Sequence, residues 1–303
     1  MQAMYAFFQT ESKDPNKSEK ELLTSIDKIY DLYVYLLLLL VEIRDQADRI
    51  LADAKNKRLP TESDLNPSTH FIDNAIIRRL ANHKQLKKEA ANRKITWQTH
   101  DELVRKILTS IKNGEDYKKY VGVPVHSFET DRQFMIDVYR NCIAEFELLE
   151  NYFEERSIYW VDDLRLAHSA IIKTFEALSE SPEEFTLMTL YKDEKEDKQF
   201  VIDLFRKTIL YEKESEKVIS EKTKNWEVER IAMMDILLMK MAITEILHFQ
   251  SVPVKVSLNE YIEISKLYSS PKSKMFINGI LDKLVQDFKR DNKLAKTGRG
   301  LVE

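Results

Sequence analysis

An all-α protein made of helical bundles is what this sequence predicts, and three observations carry the prediction. The 303 residues include only 5 Gly and 7 Pro, too few for the tight turns that sandwiches, barrels and hairpin-rich sheets need. Apolar residues make up 43%, an ordinary globular share that excludes collagen-like, low-complexity and disordered chains. Apolar positions also recur every three or four residues along most of the chain. At this length two domains, or one domain with a large insertion, are expected.

The elements follow in order. Residues 2–9 are apolar and aromatic, and a polar break at 12–17 contains Pro15. A long helical pattern then covers 18–57, with Leu22, Ile26, Ile29, Tyr33, Leu37 and Leu40 in step. Its apolar run, residues 32–41, stops at Glu42; a bilayer span needs ~20 residues, so the run reads as a buried core helix. Residues 60–67, rich in Pro, Thr, Ser, Asp and Asn, are a loop. Helical spacing resumes at Phe71, Ile72, Ile76, Ile77 and Leu80, and a break with Gly114, Gly122 and Pro124 covers 112–124.

An internal repeat comes next. Residues 131–160 align with 197–226 without a gap, giving ten identities in thirty positions, against about two expected by chance. Among them are Asp131/Asp197, Gln133/Gln199, Phe134/Phe200, Asp137/Asp203, Arg140/Arg206 and Trp160/Trp226. The pattern is two copies of one helical unit. Between the copies, Ser181-Pro182-Glu183-Glu184 has the form of a helix start. A Met-, Leu- and Ile-rich helix over 228–249 leads to a Val252-Pro253-Val254 turn. Ser257 and Glu260 form a capping-box pattern for a helix to about residue 267, and Ser270-Pro271 opens the last helix.

Charge is uneven. The net −4 combines a tail, 266–303, with nine Lys/Arg against four acids, and a stretch, 78–119, with twelve against five. Such asymmetry can focus a polyanion onto one face; the other reading is a solvated helix surface. The single Cys142 cannot form an internal disulfide, which fits a cytoplasmic setting. Glu11, Lys13 and Asp14 interrupt the first aromatic stretch, so no secretory signal is expected.

Catalytic constellations are missing from the pattern. The six His residues are scattered, with no H-E-x-x-H, and no G-x-G-x-x-G, Walker loop or G-x-S-x-G occurs. No enzyme, cofactor or metal site is expected. Recognition is the better reading. The start of the last helix joins Ser270, Lys272, Ser273 and Lys274 to a helix N-terminus, which accommodates a phosphate well. Phe276 shares the apolar stripe with Ile280, and Asn278 caps or packs locally.

At this point the residues resemble a known family. The segments NWEVERIAMMD (225–235), MAITEIL (241–247), VPVKVSLNEYIEISK (252–266) and FINGILDK (276–283) resemble the central and C-terminal helices of the NusB transcription antitermination family. Gln2-Ala3-Met4-Tyr5-Ala6 resembles its first helix, of Q-A-L-Y type. The resemblance implies NusB-like helical bundles, here with a helical insertion containing the first repeat copy. It also implies binding of boxA-type RNA of ribosomal-RNA operons, within the transcription elongation complex, together with the small-subunit ribosomal protein NusE. Carried onto this chain, the RNA contacts fall at Gln2, Tyr5, Lys272, Ser273, Lys274 and Phe276. The acidic position that neighbours the ribosomal protein falls at Asp235. Asn259 and Glu260 read as structural.

The expected organisation is N-terminal NusB-like helices at 1–60, an insertion at 61–195, a NusB-like core at 196–290 and a flexible basic tail at 291–303. Two departures matter. Family members carry an Arg-rich stretch before the Q-A-L-Y segment, whereas this sequence opens at Met1-Gln2. The typical member is also about half as long, so most of 10–195 is extra; within it, the basic stretch with Trp97 is the part expected to touch RNA if any does. Two alternatives stay open. One is a helical protein–protein adaptor that has lost RNA binding. The other is an rRNA-modification accessory protein, because NusB-like domains also occur fused to rRNA cytosine methyltransferases; no methyl-donor loop or catalytic Cys motif follows here.

Overall fold

The computed structural model describes residues 1–11, 13–59, 61–65, 67–181, 185–223 and 232–301. Among them every regular element is helical. In order they are α1 (Gln2–Gln9), α2 (Pro15–Lys55), α3 (Glu62–Leu65), α4 (His70–Asp73), α5 (Ala75–Asn82), α6 (Lys84–Arg93), α7 (Asp101–Asn113) and α8 (Glu115–Val121). There follow α9 (Phe128–Val138), α10 (Glu147–Arg156), α11 (Leu164–Glu176), α12 (Glu194–Leu210), α13 (Glu212–Lys222), α14 (Met233–His248), α15 (Val254–Tyr268) and α16 (Ser273–Arg290). A π-helical turn lies at Tyr139–Ile143, and 3-10 turns at Ile158–Trp160 and Gly298–Leu301. The helix start at Pro182, the segment 225–231 and the second repeat tryptophan, Trp226, lie outside the described residues. No helix among the described residues is long and apolar enough to cross a membrane.

The chain forms two compact units, one of residues 1–23 and 191–303, the other of residues 24–190. The division at 23/24 falls inside α2, which starts with Pro15 at a first-turn position where its missing N–H costs nothing. Asp14 caps it, its carboxylate accepting from the Asn16 and Lys17 N–H groups at 3.0 and 3.3 Å.

The unit of residues 24–190 is centred on the apolar run of α2, whose Leu32, Val34, Leu36, Leu37 and Leu39 are wholly buried. A helix buried on every side needs no polar face, which explains the unbroken run. Ile76, Ile77, Val104, Ile107, Phe153, Ile171 and Phe175 pack in the same core. Trp97 and Trp160 meet the Tyr35 ring edge-on and donate to the carbonyls of Tyr35 and Lys28 at 2.9 and 2.8 Å. Trp97, 2% exposed, is therefore a core residue and no platform for a base. Deep in this unit Tyr139 Oη lies 2.7 Å from His168 Nδ1, and burial pulls His168 down to about 4.

The repeat is visible as structure. Copy one folds as α9, the π turn and α10; copy two folds as α12 and α13. In both copies the Gln amide donates to the Asp four residues on, Gln133 to Asp137 at 2.8 Å and Gln199 to Asp203 at 2.9 Å. In both, the shared Arg pairs with a glutamate from another helix, Arg140 with Glu176 and Arg206 with Glu19.

In the other unit α14 is central. Leu237, Leu238, Met239, Ala242, Ile243 and Ile246 are buried, and around them pack Met4 and Phe7 of α1, Phe205, Ile219 and Tyr261, with Ile277, Ile280, Leu281, Leu284 and Phe288 of α16. Each of the Leu, Ile, Met and Phe side chains contributes about 1.5–3 kcal/mol on burial. Two helix starts differ from the sequence expectation. Helix α15 begins after Pro253, three residues before Ser257, whose N–H already bonds Pro253 O. Ser257 is thus interior and wholly buried, and the capping box with Glu260 does not form. Pro271 does not enter α16: it sits inside a turn closed by Ser273 N–H to Ser270 O at 2.9 Å, and the helix proper starts at Ser273.

Candidate nucleic-acid interface

The turn between α15 and α16 is held from beneath by one carboxylate. Asp235, in the first turn of α14, is 4% exposed and accepts a hydrogen bond from the Ser269 hydroxyl. Ser269 Oγ is 2.9 Å from Ser273 Oγ, and Ser273 Oγ is 2.8 Å from Ser270 Oγ. A hydroxyl has one proton. With that of Ser269 given to Asp235, Ser273 supplies the bond between them and Ser270 the next. Three hydroxyls therefore run in series onto a buried anion, and the turn carrying Lys272 is fixed in shape.

Lys272 and Lys274 are exposed on this turn, while Ser273 is buried in the network below it. Phe276 is half-buried and packs against the core. The neighbouring Met275 is 68% exposed, and Leu267 at the end of α15 is exposed too. Asn278 bonds locally, its amide donating to Asp282 at 3.1 Å.

Helix α1 presents its other candidates on the solvent side. Met4 and Phe7 face the core, which leaves Gln2 exposed and Tyr5 41% exposed. A groove lined by Ala3, Ala6, Phe7, Thr10, Lys17 and Glu21 runs between α1 and the first turns of α2. Behind α1 the nearly buried Lys240 ammonium sits 5.4 Å from the Phe8 ring centre and 3.2 and 3.4 Å from the carboxylates of Glu212 and Glu216, tying α1 and α13 to α14.

The structure thus joins Asp235 and Ser273 in one network, sets Lys272 and Lys274 on the turn it holds, and places Gln2 and Tyr5 on a separate helix packed on the same α14. Asp235 is turned inward, beneath the turn. Sequence reasoning missed Lys240, Glu245 and Ser269. Glu245 is buried and accepts from Ser257 and Tyr261 at 2.7 and 3.0 Å; burial and this carboxylate push the Tyr261 phenol well above its ordinary value. The available signal was a charged residue inside an otherwise apolar helix, which must find a partner. No cluster of His, Cys, Asp and Glu able to hold a metal occurs among the described residues.

The profile described as "NusB family" matches residues 163–286. Proteins named transcription antitermination protein NusB are similar over about a third of this chain. The one from Salinibacter ruber is 45% identical over 105 residues, 35% of this chain and 66% of its own length. That from Chloroherpeton thalassium is 42% identical over 106 residues, 35% of this chain and 50% of its own. That from Alkaliphilus oremlandii is 33% identical over 93 residues, 31% of this chain and 67% of its own. The chain therefore spans about half to two thirds of these relatives' lengths. No solved structure gives a significant match.

Proposed function

The chain belongs to the NusB family, and on that premise we propose that it is a non-enzymatic transcription antitermination factor that binds boxA-type single-stranded RNA. The relatives' name supports the role. What carries the RNA reading is the turn between α15 and α16. Lys272 and Lys274 project from a helix start whose shape is held by the Asp235–Ser269–Ser273 chain. Cations carried on a turn of held shape at a helix N-terminus suit a phosphate. Gln2 and Tyr5 extend the surface along α1: an exposed amide can read a base edge, and an exposed phenol ring can stack on a base. Phe276, half-buried beside Lys274, borders this surface. The exposed Met275 and Leu267 beside the turn suit a protein partner of the NusE kind, with Asp235 acting on it through the turn. The setting is the cytoplasm.

In a titration with a boxA-like strand, Lys272→Ala together with Lys274→Ala is expected to weaken binding about tenfold or more. It should also flatten the slope of log affinity against log salt by about 0.7 for each phosphate no longer neutralised. Binding with an unchanged slope would place the RNA face elsewhere. The exposed Met275 and Leu267 also favour a second reading, a helical adaptor without RNA binding. Titrating the RNA with and without the ribosomal protein separates the two, since an adaptor takes up the protein and not the strand.

A further inference from the structure

We propose that helices α5 and α6, in the unit of residues 24–190, form a second nucleic-acid surface that holds the sugar–phosphate backbone of an RNA strand without reading its bases. Residues 78–94 contain seven Lys/Arg and one acid, Glu89. Two of the cations are structural. Arg79 donates to the carbonyls of Ser179 and Glu180 and lies over the Phe128 ring; Arg93 pairs with Asp27, Asp31 and Glu89. The other five, Arg78, Lys84, Lys87, Lys88 and Lys94, are exposed and have no side-chain partner among the described residues. Other exposed cations of this unit stand in ion pairs, as Lys106, Lys118 and Arg140 do, or are scattered singly, as Arg105 and Arg165 are.

Lys84, Lys87 and Lys88 are three and four residues apart and share one side of α6, where like charges repel. Arg78 precedes them on α5, and His83 alone joins the two helices, ending α5 and capping α6 through its ring nitrogen. A polyanion laid along this side removes the repulsion and releases its own counterions.

The choice of a phosphate backbone rests on what the surface lacks. Between residues 66 and 122 no large apolar side chain is exposed among the described residues, whereas a protein interface draws its affinity from buried apolar and aromatic anchors. Trp97, the one Trp of the basic stretch, is in the core, so no indole is free for a base. Charge without anchors or stacking surfaces is the signature of backbone contact, which sets affinity and carries no sequence information.

The test uses the full chain with Lys84, Lys87 and Lys88 changed to Ala, exposed helix positions at which Ala favours the fold, and a thermal melt confirms folding. Binding is measured against a boxA-like strand, a base-scrambled strand, a DNA duplex and polyglutamate over a range of salt. The expected result is an equal loss on both RNA strands, about tenfold or more, with the salt slope lower by about 2. Comparable loss on the duplex marks the site as general for phosphate backbones; loss on RNA alone marks the single ribose–phosphate strand as the selecting feature. Either supports the proposal. Unchanged affinity and slope overturn it, as does a loss confined to one sequence, or wild-type binding of polyglutamate in place of RNA. The Lys272/Lys274 variant is run in parallel. If it changes nothing while the α6 variant does, the interface proposed on α16 fails and this one stands; the converse result has the opposite meaning.

Discussion

Asp235, Lys240 and Glu245 stand five residues apart in α14, and successive members are about 140° apart around the helix axis. Each consequently meets a different neighbour: the serine turn before α16, the Glu212–Glu216 pair of α13, and the Ser257–Tyr261 pair of α15. The types and spacing of these residues were legible in the sequence; their partners, set by tertiary packing, were not. Resemblance to relatives suggested Asp235 as a partner position, and only the fold shows it buried beneath the turn. His168 gives a residue-scale prediction. Its folded value of about 4 lies below the ordinary 6.5, so the contribution to stability is complete above pH 6.5. It is lost as pH falls toward 4, because the unfolded chain takes up a proton that the folded chain refuses. The loss reaches about 3 kcal/mol. Melting temperatures at pH 7 and pH 5 should differ less in His168→Gln than in the parent; an equal difference would assign the pH dependence to other groups.

At the scale of elements, the 3.6-residue period located α2, α14 and α16 well, while caps were read less well. Ser257 with Glu260 fits the capping-box pattern, but Pro253 starts the helix earlier and turns Ser257 toward Glu245. A capping pattern records residue types and not where the chain turns. The segment after α16 gives a second lesson. Asn292 adopts φ 52° and ends the helix, with Lys293 N–H bonding Phe288 O at 2.9 Å. Residues 293–301 then lie along the unit: the Lys296 ammonium donates to Phe249 O at 2.9 Å and the Thr297 N–H to Gln250 O at 3.0 Å. A Cβ on Gly300 would stand 1.9 Å from Gln250 O. Gly300→Ala should release this segment, seen as faster proteolysis and faster amide exchange at 293–301, with little change in the exchange of α14. Unchanged protection would mean the backbone can shift to take the methyl group.

For the whole molecule, the helical class was legible from composition, and the repeat from a gapless alignment. The division at 23/24 was not, since it falls within the continuous helical period of α2 and no change of composition marks it. The two units have separate apolar cores, so denaturation should show two transitions. Leu37→Ala, in the core of residues 24–190, and Leu284→Ala, in the other, should each cost about 2–5 kcal/mol. Each should move a different transition in calorimetry; a single transition shifted by both variants would mean the units unfold as one.

Because residues 1–23 fold with residues 191–303, the order of synthesis matters. Helix α1 leaves the ribosome well before α14, against which Met4 and Phe7 pack and which begins roughly 210 residues after residue 23. At 5–20 residues per second the wait is roughly 10–40 s. Residues 24–190 are made in that interval, and Met4, Phe7 and Phe8 stay without their α14 and α16 neighbours until those helices follow.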